Sequence, residues 1–143
     1  MSVSLALYKA LVALFPDSGY APGLNNIDFK EKNSYALYFT GGAPVNREVS
    51  EGRYLNRYLQ LGLYLQTSDK SEEDLKGYAF LDHVMSKLQS LKDYTFTDDS
   101  GYTVNIQRVD LLSDIISLGT NEFGIARYSL NFAVLFQGGK NSE

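Results

Sequence analysis

The sequence contains no cysteine and no tryptophan, only one histidine and three prolines. Without cysteine there can be no disulfide, no thiolate zinc site and no cysteine nucleophile. With His83 as the single imidazole, a conventional zinc site would have to take its other ligands from carboxylates. Lysine and arginine form no cluster, and the formal net charge is −4 with a pI near 5.0. That balance argues against a protein that grips phosphate backbones. No apolar run is long enough to span a bilayer. A Gly-x-Ser-x-Gly elbow, a phosphate loop and a dinucleotide fingerprint are all missing. Gly138–Gly139–Lys140 is no Walker motif, because no helix can follow it. No motif points to a reaction, so the sequence is read as non-enzymatic, with no cofactor and no metal.

What is present fits one ordinary core. The chain has 143 residues, 44% hydrophobic and 21% charged, and no Pro/Ser/Gly linker divides it. The expectation is a single α+β domain over 1–137 and a disordered tail over 138–143, which has nothing to bury. The unusual abundance is tyrosine, at 11 residues. Tyrosine joins apolar area to a polar tip, which suits both sheet faces and protein–protein contacts.

The cleanest helical period lies in Ser71–Lys92. Tyr78, Leu81, Val84, Met85 and Leu88 share one face, with Leu91 at its edge and His83 pointing away. Ser71 stands where an N-cap belongs, with Glu72, Glu73 and Asp74 in the first turn, as the helix macrodipole favours. A shorter helix is expected over Ser2–Phe15, where Leu5, Tyr8, Leu11, Val12 and Phe15 repeat. That segment lacks a basic n-region and a cleavage site, so it reads as a core helix, not a secretory signal.

Gly19–Asn33 is a connector rich in turn residues. Strands are expected at Tyr35–Thr40, Leu55–Gln66, Tyr94–Thr97, Tyr102–Val109 and Ile125–Gln137, by alternation. In Leu55–Gln66 the leucines and Arg57 share one face. Tyr54, Asn56, Tyr58, Gln60, Gly62, Tyr64 and Gln66 share the other. Asp98–Asp99–Ser100–Gly101 reads as a hairpin turn; a weakly bound cation there is an open alternative. Asp110–Gly124 reads as a connector in which Asp110, Asp114 and Glu122 could converge. The element order is α-β-β-α-β-β-β. It predicts a two-layer sandwich: an antiparallel sheet of about four to five strands covered by one long and one N-terminal helix.

Certain stretches resemble a known family in their succession. They are Ala36–Gly42, then Tyr58-Leu59-Gln60-Leu61, then the long helix, and finally Leu118–Gly124 leading into Arg127–Phe132. In this order they are similar to the tail-terminator and minor capsid proteins of long-tailed (siphovirus-type) bacteriophages. The resemblance implies a structural virion subunit, assembled in the host cytoplasm, that forms a ring, usually a hexamer, at the head-proximal end of the tail. Such a ring stops growth of the tail tube and offers the surface on which the head docks. The implied partners are further copies of the chain, the tail-tube protein and a head-completion or connector protein. DNA would pass through the lumen without specific binding, and no membrane is involved. A neighbouring head-completion or connector role is the alternative within that class. From a different class, a small α+β ligand-binding domain or enzyme would place its pocket between the long helix and the sheet.

Candidate interface residues follow from the polar segment Val45–Arg53 and from the strand faces. They are Arg47, Glu48, Glu51, Arg53, Tyr54, Arg57, Tyr58, Tyr64 and Arg127. Arg57, set in the leucine face, reads either as a snorkelling edge arginine or as an ion-pair donor to a neighbouring subunit.

Overall fold

Two long strands, Tyr54–Ser68 (β4) and Ile125–Lys140 (β8), form the spine of the sheet. They pair antiparallel from Leu55↔Gly138 to Ser68↔Ile125. In this computed structural model residues 2–16, 18–26, 32–40, 49–50, 54–68 and 70–140 are described, with backbone alone for 49–50, 54–56 and 71. Each spine strand is flanked by shorter strands. Beside β4 lie Ser34–Phe39 (β2) and Val49–Ser50 (β3); beside β8 lie Tyr102–Leu111 (β6) and Ile116–Thr120 (β7). Ala21–Leu24 (β1) adds to β2, and Tyr94–Thr97 (β5) adds to β6, giving the order β1-β2-β4-β8-β6-β5.

The fold is α+β; the described residues form two helices and an eight-stranded sheet that curls into a half-barrel. It is larger than the four to five strands expected, for identifiable reasons. β1 lies in the presumed connector and pairs parallel with β2, so the sheet is mixed. Pro22 and Gly23 suppress its strand signal, yet an edge strand tolerates both. β7 lies in the connector read as Asp110–Gly124, and a register shift interrupts it at Ser117/Gly119. β8 continues through Gly138 and Gly139 to Lys140, paired with Val104, Thr103 and Tyr102. Three residues assigned to a disordered tail are therefore strand.

Both helices cover one face. Val3–Ala13 (α1) begins at Ser2, whose Oγ accepts the Leu5 N–H at 3.1 Å, an N-cap contact. It buries Ala6, Leu7, Ala10 and Leu11. Ser71–Ser90 (α2) has Lys70, not Ser71, at the N-cap position. Leu81, Val84, Leu88 and Leu91 are buried as the periodicity requires, whereas Tyr78 stays exposed. Phe80, off the predicted stripe, is buried among the rings of Phe15, Tyr20 and Tyr35, with centroids 5.9, 4.8 and 5.6 Å away.

Beneath the helices, Leu61, Leu63 and Leu65 of β4 meet Phe132, Leu130 and Tyr128 of β8 in register. Tyr128 carries its hydroxyl to Asp74 in the first turn of α2, and its ring lies 4.8 Å from that of Tyr78. Burial, and then the Asp74 hydrogen bond, push the Tyr128 hydroxyl pKa well up. This tyrosine fixes the start of α2 on the sheet.

Candidate functional site

Neither helix covers the other face of the sheet. Register places Tyr38, Tyr58, Gln60, Tyr64, Arg127, Ser129, Asn131, Leu135 and Gln137 there, because their in-register neighbours alternate with the core residues. These side chains are half-buried, as expected of a sheet surface open to water. Tyr38 and Tyr64 meet edge to face, with centroids 5.5 Å apart and an interplanar angle of 65°, a favoured aromatic arrangement.

The most ordered feature on this face spans three strands. Tyr58 Oη donates to Asp110 Oδ2 at 2.7 Å, reaching from β4 across β8 to β6. Arg108 Nε donates to the same carboxylate at 3.2 Å and 3.4 Å. The residue of β8 opposite Asp110 is Ala133, which also lies opposite Gln60; its small side chain leaves the crossing clear. The Tyr58 hydroxyl lowers the Asp110 pKa below the ordinary carboxylate range, helped by Arg108 and opposed by partial desolvation. In turn the Asp110 hydrogen bond raises the Tyr58 pKa. A phenol and a guanidinium thus hold one carboxylate charged on an exposed surface. The arrangement is polar and leaves the Tyr58 side chain half-buried.

The expected interface residues do not all come together. Tyr58, Tyr64 and Arg127 share the open face. Arg127 donates from Nη2 to the Leu118 carbonyl at 3.0 Å, tying β8 to β7. Arg57 stands on the opposite, helix-covered face. Its guanidinium lies 5.5 Å above the Phe136 ring, and Nη1 is 3.5 Å from Ser4 Oγ in α1. This geometry fits a snorkelling arginine that stays half-buried. Tyr54 is described by its backbone only, opposite Ser50. Arg47, Glu48, Glu51 and Arg53 lie outside the described residues.

Sequence reasoning missed Tyr38, Arg108 and the true role of Asp110. Asp110 does not converge with Asp114 and Glu122. Asp114 Oδ1 instead accepts the Ile115 N–H at 2.7 Å, and Glu122 is exposed. Strict alternation from Val104 and Ile106 would put Arg108 and Asp110 on the core face; the register shift between Ile106 and Arg108 turns both onto the open face, and no sequence pattern announces it. Asp98 behaves as a turn residue: its Oδ1 accepts the N–H groups of Ser100 and Tyr102 at 2.9 and 3.0 Å. Among the described residues, no group of three or more His, Asp or Glu could hold a metal ion.

Among the described residues, apolar side chains of the core fill the space between α2 and the sheet. A cleft of about 620 Å³ lies instead beside the outer flank of α2. Phe15, Tyr20, Phe80, Lys76 and His83 are among its lining residues. The His83 ring approaches Phe15 edge-on at 5.9 Å.

No family model and no curated protein matches the chain. A solved structure of a protein known only by a sequence label aligns with 98% of this chain and 92% of its own, at 12% identity and a TM-score of 0.43. A likeness at that level carries no argument about fold or function.

Proposed function

We propose that this chain is a ring-forming structural subunit, and specifically a phage tail terminator acting by assembly at the head-proximal end of the tail tube. The observation that carries the assembly part is the uncovered sheet face. Four adjacent strands present tyrosine, glutamine, asparagine and leucine there, with no helix over them among the described residues. Such a face tolerates water in the free subunit and loses little on meeting a neighbour. The terminator identity rests on the sequence resemblance alone. Its partners are then other copies of the chain, the tail-tube protein and the head-completion protein. The acidic balance of the chain suits a lumen through which DNA slides without sticking.

Native mass spectrometry and negative-stain electron microscopy of the purified chain, alone and with tail-tube protein, test this reading. Closed rings that cap tubes are expected. A chain that stays monomeric in both samples overturns the ring. Tails of normal length, joined to heads, in a phage deleted for the gene overturn the terminator role. A ring that binds the head connector but ignores the tube transfers the reading to a head-completion protein.

A further inference from the structure

A ring needs two different patches on each subunit, one offered and one receiving. The open sheet face supplies one. The other follows from the layer opposite it. α2 buries Gly77, Leu81, Val84 and Leu88 against the sheet side. At 100° per residue, the diametrically opposed stripe is Glu72, Leu75, Ala79, Asp82 and Ser86. All five are exposed, and Leu75 is 69% exposed, the most open large apolar residue among those described.

We infer that the outer stripe of α2 docks on the open sheet face of a second copy, so that neighbouring subunits stack helix layer to sheet layer. Charge supports this pairing over its alternatives. Among the described residues the open face carries Arg108 and Arg127, with Lys92 beside Arg108, against the carboxylates of Asp110 and of Asp93, which accepts from Asn105 Nδ2. The exposed sides of α2 carry Glu72, Asp82 and the half-buried Glu73 against Lys76 and Lys87. Sheet-to-helix contact therefore brings opposite signs together, while helix-to-helix contact sets Glu72 and Asp82 against their own copies. Leu75 and Ala79 meet the aromatic surface between Tyr58 and Tyr64, where apolar area lies bare between polar tips. Because the two patches lie on opposite layers of one subunit, the contact cannot close on itself as a twofold dimer. It runs head to tail, and it closes into a ring or continues as a filament according to the rotation per subunit.

This inference rests on the ring reading, and its test separates the two. The chain has no cysteine, so introduced thiols are the only ones. Leu75→Cys and Gln60→Cys place a thiol on each layer, with the sheet and the helix between them within one subunit. Circular dichroism first checks that both single variants and the double variant fold as the parent chain does. Under a short bis-maleimide the double variant should give a covalent ladder ending at the ring size. An equimolar mixture of the two single variants should give dimers, and neither alone should. Rings seen by native mass spectrometry with no ladder overturn the inference and leave the ring intact. Leu75→Cys alone cross-linking as well as the mixture overturns it in favour of a helix-to-helix contact. A parent chain that is monomeric at every concentration overturns both.

Discussion

Tyr58 and Asp110 belong to strands that are not neighbours, yet their side chains hydrogen-bond at 2.7 Å across β8. The contact needs the strand order β4-β8-β6, a side chain as long as tyrosine and a residue as small as Ala133 between them. It staples three strands on the face that no helix covers. Arg108 completes it from the same strand as Asp110.

The first prediction follows from the charge state of this staple. The Tyr58 hydroxyl, as the largest cause, lowers the Asp110 pKa in the folded chain. A depressed carboxyl contributes stability that is present above its unfolded pKa, near 3.8, and is lost as pH falls through the folded value. Tyr58→Phe should therefore raise the Asp110 pKa and make stability less sensitive to acid below about pH 4. The group is solvent-exposed, so the effect is small. A carboxyl-detected NMR titration of Asp110 reads it directly; an unchanged midpoint in Tyr58→Phe would show that the hydroxyl does not hold the charge.

The second prediction concerns the core. Leu61 and Leu81 are both 0% exposed and belong to one cluster under α2. Truncating either to alanine should cost roughly 2–5 kcal/mol, as transfer and cavity terms add. Urea denaturation measures it, and a loss below about 1 kcal/mol, the level of surface sites, would contradict the packing of the helix on the sheet.

A third prediction turns on Gly77, which sits inside a helix where alanine would ordinarily stabilise by roughly 1 kcal/mol. Here a Cβ would lie 2.8 Å from Thr67 Cγ2 and 3.4 Å from Leu65 Cδ2. Thr67 is fully buried and β-branched, so its methyl cannot swing away cheaply. Gly77→Ala should therefore destabilise the chain, and Thr67→Ser, which removes that methyl, should recover part of the loss. A melting temperature that rises in Gly77→Ala alone would mean that α2 does not approach β4 this closely.

The parts legible in the sequence are those whose large apolar residues alternate, even where small or polar residues such as Gly62, Gln66 and Ala133 are buried on the second face. β4 and β8 have one face in the core and one in water, and the buried residues Ala126, Tyr128, Leu130, Phe132, Val134 and Phe136 fall where the pattern puts them. β7 was invisible because most of Ile116–Thr120 is exposed on both faces, leaving no period to detect. Phe80 was missed because a helical wheel sees one partner surface. The residue is buried by a second, formed by Phe15, Tyr20 and Tyr35. The open face itself was readable, strand by strand, from Tyr58 and Tyr64. The Tyr58–Asp110 contact was not, since no local pattern tells which strands become neighbours. The loop Gly41–Arg53, whose length and polarity suggest a projecting partner contact, falls outside the described residues except for the backbone of Val49–Ser50.

The last prediction tests the open face with a charge. Tyr58→Glu would be a poor probe, because the new carboxylate would stand beside Asp110 and draw on Arg108, which already serves it. Tyr64 is the better position. It lies opposite Ser129 on β8 and Ala36 on β2, and its ring contact is with Tyr38. None of these groups can neutralise a carboxylate, and the nearest cation on the face, Arg127, diagonal to Tyr64, is held by the Leu118 carbonyl. In the free subunit Tyr64→Glu keeps its charge in water and loses one aromatic contact worth about 0.5–1.5 kcal/mol. At a buried contact between copies the same charge would be stripped of water without a partner, at several times that cost. The expected result is a chain with the parent circular dichroism and a small drop in melting temperature that no longer forms rings by native mass spectrometry. The control is Tyr64→Phe, which keeps the ring contact and should assemble as the parent does. Rings that persist in Tyr64→Glu would remove this face from the assembly interface.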